Sequence, residues 1–242
     1  ETALVYGPNI KDWPEMPELT SDLLVKICSY ITDPVTTTDE LIPSGESSSY
    51  RSNPERLSSF ALYRRDPNFV PQSKQIRQFE RDRQAGKPLP QEVLHIYEAL
   101  TRAGLENDPQ ATDLGSAIYA NSPGDGSARE QAASCQRVMG ASANFARAYA
   151  TKRYRSNCIN WGIVPFTLDE STPFDYQPGD YLFVPGIKEA VKDGKEDIPG
   201  KVVTSSGVKD ILLHVKGLTE DEKAIILEGC LINYYAAGYG KD

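Results

Sequence analysis

Histidine is scarce here: His95 and His214 are the only two among 242 residues. Zinc sites and histidine-based catalysis therefore have little to draw on. Cysteine is nearly as sparse. Cys28, Cys135, Cys158 and Cys230 are widely scattered and form no Cys-x-x-Cys pair, which argues against a disulfide framework and leaves reduced, mostly buried thiols. No apolar run approaches the ~18–20 residues of a membrane span, since Ala224–Leu227 stops at Glu228 and Gly229. No membrane partner is expected. There is no basic-then-apolar leader and no initiator Met; a start at Glu1 is what a processed protein or a piece of a longer one would show. Positive charge is also short, with 26 Lys plus Arg against 34 Asp plus Glu and a net charge of −8. That balance demotes nucleic acid as a partner.

What is present is ordinary globular material, 39% hydrophobic and 25% charged. Pro8, Pro14 and Pro17 make residues 1–19 an extended strap or linker. Leu23–Ile27 reads as a short strand and 32–55 as a long irregular segment. A charged helix ending at Gly86 and a second from Pro90 to Gly104 follow, the latter with Val93, Leu94, Tyr97 and Leu100 on one face. Strands are expected at 116–120, 163–166, 181–184, near Val202 and at 211–215. Helices are expected from Ser127 to Met139, from about Phe145 to Arg155, and from Glu220 to about Tyr235, the last opened by a Thr219/Glu222 capping box. Interleaved strands and helices give an α/β or mixed class. His95 and His214 fall on a helix and in an apolar run, and read as structural.

The most informative stretch is Gly124-Asp125-Gly126-Ser127-Ala128-Arg129-Glu130. A strand, a glycine-rich turn and a helix N-terminus follow one another. Free N–H groups and the helix dipole there suit a carboxylate or phosphate, and Arg129 adds a planar donor. Ser127-x-x-Glu130 equally fits an ordinary capping box. It is no P-loop, because no Gly-Lys-Ser/Thr follows, and no nucleophile elbow, because Asp125 and Arg129 flank Ser127 where glycines would stand. A second candidate is Thr36-Thr37-Thr38-Asp39-Glu40 with Arg51 beyond it. Alone it reads as a turn and a solvated surface charge.

The combination resembles a known family. Gly126-Ser127-Ala128-Arg129-Glu130-Gln131-Ala132-Ala133 is similar to the Gly-Ser-Ser-Arg-Glu-His-Ala-Ala signature of the aconitase family's C-terminal swivel domain. Thr37-Thr38-Asp39-Glu40 resembles its Thr-Thr-Asp-His, and Arg51 lies near the spacing of a substrate arginine. Asn144–Arg147 resembles Ser-Phe-Ala-Arg, and Gly162–Phe166 resembles the Gly-Leu-Leu-Pro-Leu strand after it. Order and rough spacing match from about Thr36 to the final helix.

The resemblance implies an α/β fold of three β/β/α layers, a swivelling domain related to the isopropylmalate isomerase small subunit. Residues 1–31 would be linker strap and first strand, and 32–242 the swivel domain. The implied reaction is dehydration and rehydration of a hydroxy di- or tricarboxylic acid. Ser127 would be the catalytic base, and Arg129 and Arg51 would hold substrate carboxylates, with Ala128, Asp39 and Thr38 also at substrate-binding positions. The family's second serine is Ala128 here, and two family histidines are Glu40 and Gln131, so citrate is not assumed. The [4Fe–4S] cluster of the complete enzyme would sit on other domains and none on this chain, which holds no metal. Its partners would be the cluster-bearing domains of a longer chain or a separate large subunit, and its location the cytoplasm. The competing reading is a non-catalytic module that senses a carboxylate or binds RNA.

Overall fold

The computed structural model describes residues 2–241. The first strand, β1 (Asp22–Ile31), is buried along nearly its whole length. It pairs in parallel with β3 (Thr112–Ala120) and antiparallel with β7 (Tyr181–Val184). The segment between β1 and β3 holds a two-residue strand, β2 (Thr36–Thr37), and five helices: α1 (Thr38–Leu41), α2 (Ser44–Ser47), α3 (Pro54–Ser58), α4 (Phe69–Gln84) and α5 (Gln91–Arg102). After β3 come β4 (Pro123–Asp125), α6 (Arg129–Val138), β5 (Ala141–Ala146), α7 (Lys152–Asn160) and β6 (Val164–Thr167). The last part contains β7, α8 (Ile187–Lys192), β8 (Asp197–Thr204), β9 (Gly207–His214), α9 (Glu220–Glu228) and α10 (Leu231–Ala236).

Among the described residues the sheet closes into a barrel in the order β1-β3-β5-β6-β9-β8-β7. Half is parallel and connected through helices; half is an antiparallel meander. Side chains alternate across the strands. Leu23, Val25 and Ile27 face the core between the two β layers, with Phe145, Phe166, Leu182 and Val202. Leu24, Leu114 and Phe183 face Ile76 of α4 and Val93, Tyr97 and Leu100 of α5. Ile118, Ala120 and Ala141 meet α6 and α7. Two β layers and an outer helical layer are thus built by period-two burial, and the α/β class is the expected one. Closure is an added feature. It depends on a single β6–β9 pair, Thr167 with His214, which no run of sequence announces.

Three expectations differ. The first strand extends to Ile31, past a bulge between Ile27 and Ser29, and is hydrogen-bonded on both sides within the barrel. The helix expected from Phe145 is instead the end of β5, followed by α7 from Lys152. Phe145 stacks on Phe166 at 5.4 Å in the core, so burial between β3 and β6 overrode local propensity. The single helix expected at 220–235 is α9 and α10, broken at Gly229 with φ +96°. Its Thr219/Glu222 capping box is present.

The C-terminal ends of β1, β3, β5 and β6 lie together. In parallel α/β sheets this is the edge where ligand-binding loops gather. Phe174 closes the end of the core there, stacked 4.5 Å from Tyr119.

Candidate functional site

The glycine turn lies at that edge. Its start is fixed by β4, which pairs in parallel with β2 and sets Thr37 against Asp125. Gly124 has φ +101° and packs on the ring of buried Tyr154, where a Cβ would collide. Gly126 has φ +136°, and its Cβ would collide with Thr38 Oγ1. Both positions need glycine on steric grounds. Thr38 itself is 3% exposed, and its Oγ1 accepts the Ala128 N–H at 3.3 Å.

Helix α1 begins with a capping box. Thr37 Oγ1 accepts the Glu40 N–H at 3.2 Å, and Glu40 Oε2 accepts the Thr37 N–H at 2.7 Å. Glu40, which stands where the resembled motif has histidine, is thereby engaged with its own backbone. Asp39 is exposed, and its Oδ1 accepts the N–H and hydroxyl of Ser44, each at 3.2 Å.

Helix α6 corrects the capping reading of Ser127. It starts at Arg129, its N-cap is Ala128, and no side chain caps it. Ser127 lies outside the helix and is exposed. Among the described residues no hydrogen bond is made by its hydroxyl, nor by the N–H groups of Arg129, Glu130 and Gln131. Glu130 does not reach back to complete a box; its Oε1 accepts the Trp161 Nε1–H at 3.0 Å. A free hydroxyl therefore stands beside an uncapped helix start, where the backbone carries partial positive charge. Arg129 is half-buried, and its Nε is buried without a partner. A buried donor left without an acceptor is costly.

Arg51 follows a short 3₁₀ turn, Ser48–Tyr50, and is exposed. No hydrogen bond or ion pair engages it among the described residues, and none joins Arg51 or Asp39 to Ser127 or Arg129. Arg51 lies on the segment leading into α3, which packs on α6. The far end of α6 is held by Arg77, which donates to Val138 O at 2.6 Å and pairs with Glu55 at 2.9 Å. That guanidinium lowers the Glu55 carboxyl.

The N-terminal strap reaches the same region. Lys11 N–H donates to Ser52 O at 2.9 Å, and Trp13 packs on Trp161 with ring centroids 4.5 Å apart. The sequence reading named neither tryptophan. The one available signal was that these are the chain's only two. A cavity of about 610 Å³ lies at the opposite end of α6, between Arg77, Glu80, Asp113 and Arg137 and under Pro14–Pro17. It contains none of the expected site residues.

The histidines stand apart. His95 is exposed and bonded to Gln91 at 2.8 Å. His214 is buried, with Nδ1 2.7 Å from Asp197 Oδ1 and Nε2 3.1 Å from Asp169 Oδ2, at the barrel closure. All four cysteines are buried and free. Burial pushes the thiols of Cys28, Cys135 and Cys158 up to about 12. An iron–sulfur cluster takes several cysteine ligands gathered at one place, and among the described residues these four are not gathered with other such ligands. Among the described residues no group of three His, Cys, Asp or Glu side chains could hold a metal ion. No helix among them is long and apolar enough to cross a membrane.

Compared with models of known families, the chain matches none. It is 32% identical over 113 residues to an Emericella nidulans protein that carries the name "Putative aconitate hydratase, mitochondrial". That match covers 46% of this chain and 14% of the fungal protein's length. Among solved structures it is similar to 3-isopropylmalate dehydratase (leuD) from Methanocaldococcus jannaschii. The TM-score is 0.50 at 20% identity, over 89% of this chain and 94% of the other. At that identity the likeness is one of fold.

Proposed function

We propose, from the likeness of this domain to the aconitase-family swivel domain, that it supplies half of a hydro-lyase active site. Its substrate would be a hydroxy di- or tricarboxylic acid. The observation that carries this reading is the free Ser127 hydroxyl beside an uncapped α6 and the unpartnered Arg129 Nε. A substrate carboxylate at the helix start would receive backbone N–H groups and the Arg129 guanidinium together. Arg51, exposed and unpaired, would take a second carboxylate.

Ser127 Oγ, as an alkoxide, would then take the proton from the carbon beside a bound carboxylate; the electron pair of that C–H bond would form the C=C bond as the hydroxyl on the adjacent carbon departs toward the domains proposed to carry the Lewis acid, and rehydration would reverse each change. An alkoxide is a poor resting state for serine. The α6 dipole and Arg129 both favour negative charge at that oxygen, and this local field works against the chain's net charge of −8. Ala128 leaves one hydroxyl fewer near the substrate than the resembled signature. Asp39 is proposed at the rim of the site.

The iron–sulfur cluster implied by the resemblance is proposed to belong to other domains of a longer chain or to a separate large subunit. A reducing compartment, the cytoplasm, suits that cluster and four free thiols. The rival reading, a binding module without catalysis, would use the same helix start and Arg129 for a carboxylate, but a pure binder has no use for the free serine.

Arg129→Ala in the complete protein tests the reading. Loss of a charge-assisted carboxylate contact should raise KM about 10- to 100-fold. Because Arg129 Nε has no protein partner, thermal stability should stay within about 2 °C. An unchanged KM would overturn the proposal. RNA binding that weakens steeply with salt would favour the rival.

A further inference from the structure

Thr38 stood among the residues expected to touch substrate, yet its hydroxyl faces inward. It is 3% exposed, and Oγ1 meets the Ala128 N–H at 3.3 Å. The same oxygen fills the space a Cβ would take at Gly126. Among the described residues no other side chain hydrogen-bonds to 126–128, and Ala128 has no side-chain cap to offer α6. Ser127 thus sits between a glycine at φ +136° and an uncapped helix start, two features that leave the backbone free to turn. Ala128 O is held within α6 by the Ala132 N–H, and the side-chain hydrogen bond that restrains the turn comes from one buried oxygen on a separate element.

That element is itself rigidly placed. Thr38 opens α1, whose preceding residue Thr37 is locked by Glu40 and paired through β2 to Asp125 of β4. The two sides of the turn are therefore joined twice, by the β2–β4 ladder before Gly126 and by Thr38 after it.

We infer that Thr38 is a positioning residue: by accepting the Ala128 N–H and filling the space over Gly126, it sets where the Ser127 hydroxyl points. It does not itself contact substrate. This rests on the proposed role of Ser127, and the test separates the two. The isosteric Thr38→Val keeps the shape but leaves the Ala128 N–H without an acceptor, whereas Thr38→Ser keeps the oxygen. Both are made in the complete protein and read in two ways.

Hydrogen exchange, followed by mass spectrometry over the peptide spanning 123–132, should be at least about 10-fold faster in Thr38→Val and near the parent rate in Thr38→Ser. Turnover should follow the same order. A shift of ~1 Å in a reacting group is worth about 10²-fold, so kcat should fall roughly 10- to 100-fold in the valine variant. KM should change less than about threefold, and serine should restore kcat. Unchanged exchange in Thr38→Val overturns the inference. So does a defect confined to KM, which would make Thr38 a substrate ligand, or a serine variant as impaired as the valine one. If the parent protein has no hydro-lyase turnover, the proposed function fails instead, and the exchange measurement alone decides whether Thr38 holds the turn.

Discussion

Asp113 and Glu80 share Arg83 at the start of β3, at 3.2 and 2.6 Å from its Nη2. Burial, and then the neighbouring Glu80, raise the Asp113 carboxyl from its usual range to about 7. A folded-state value above the unfolded one means that the native chain holds a proton the unfolded chain releases. Stability from this group is therefore full below about pH 4 and is lost as pH rises toward 7. Asp113→Asn should shrink the stability difference between pH 5 and pH 8 by on the order of 2 kcal/mol, read from urea midpoints at both values. An unchanged difference would contradict the raising of Asp113 by burial and Glu80.

Gly124 and Gly86 offer a second residue-scale contrast. Both have positive φ, but a Cβ at Gly86 meets nothing within 4 Å, whereas at Gly124 it enters the Tyr154 ring. Alanine should cost about 1 kcal/mol at Gly86 and roughly 3 or more at Gly124. Equal losses in chemical denaturation would contradict the packing. These residues were differently legible. The spacing of Gly124, Ser127 and Arg129 drew attention to this turn. It also fitted a capping box, which the position of the α6 N-terminus at Ala128 excludes.

Among elements, the strap depends on tertiary contacts alone. Beyond the Trp13–Trp161 pair, Asn233 Nδ2 donates to Met16 O at 2.6 Å, and Leu19 N–H to Leu227 O at 3.1 Å. Trp161 is thus covered by Trp13 while it holds Glu130 in the first turn of α6. Trp13→Ala should move the remaining tryptophan emission to longer wavelength and cost about 1 kcal/mol. Emission unchanged in position would mean that the pair does not persist in solution. Prolines made this segment recognisable as extended, but where it lies depends on Ser52, Trp161, Leu227 and Asn233, distant in the chain, which local pattern does not record. The same limit explains β5: Ala141–Ala146 carries a weak strand pattern and is held by β3 and β6. Helices α4, α5 and α9 were legible because caps and apolar spacing are local.

At the scale of the whole molecule, the barrel brings loops from four parallel strands to one edge, and the proposed chemistry uses only that edge. Class followed from alternation of strands and helices, and the three layers were what the family resemblance implied; closure through one Thr167–His214 pair came from neither. Ser127 and Arg51 are exposed on separate elements, and among the described residues neither the hydroxyl nor the guanidinium has a protein partner; we propose that they belong to a site that other domains would complete. The most direct test of that claim is Ser127→Ala in the complete protein, with turnover and substrate affinity measured side by side on hydroxy di- and tricarboxylic acids. Loss of the base with the carboxylate contacts intact should lower kcat by about 10³-fold, within the usual share of a single positioned acid or base, and leave the dissociation constant within about threefold. Near-full turnover in that variant would contradict the assignment of Ser127 and with it the reading of this domain as half of a hydro-lyase site.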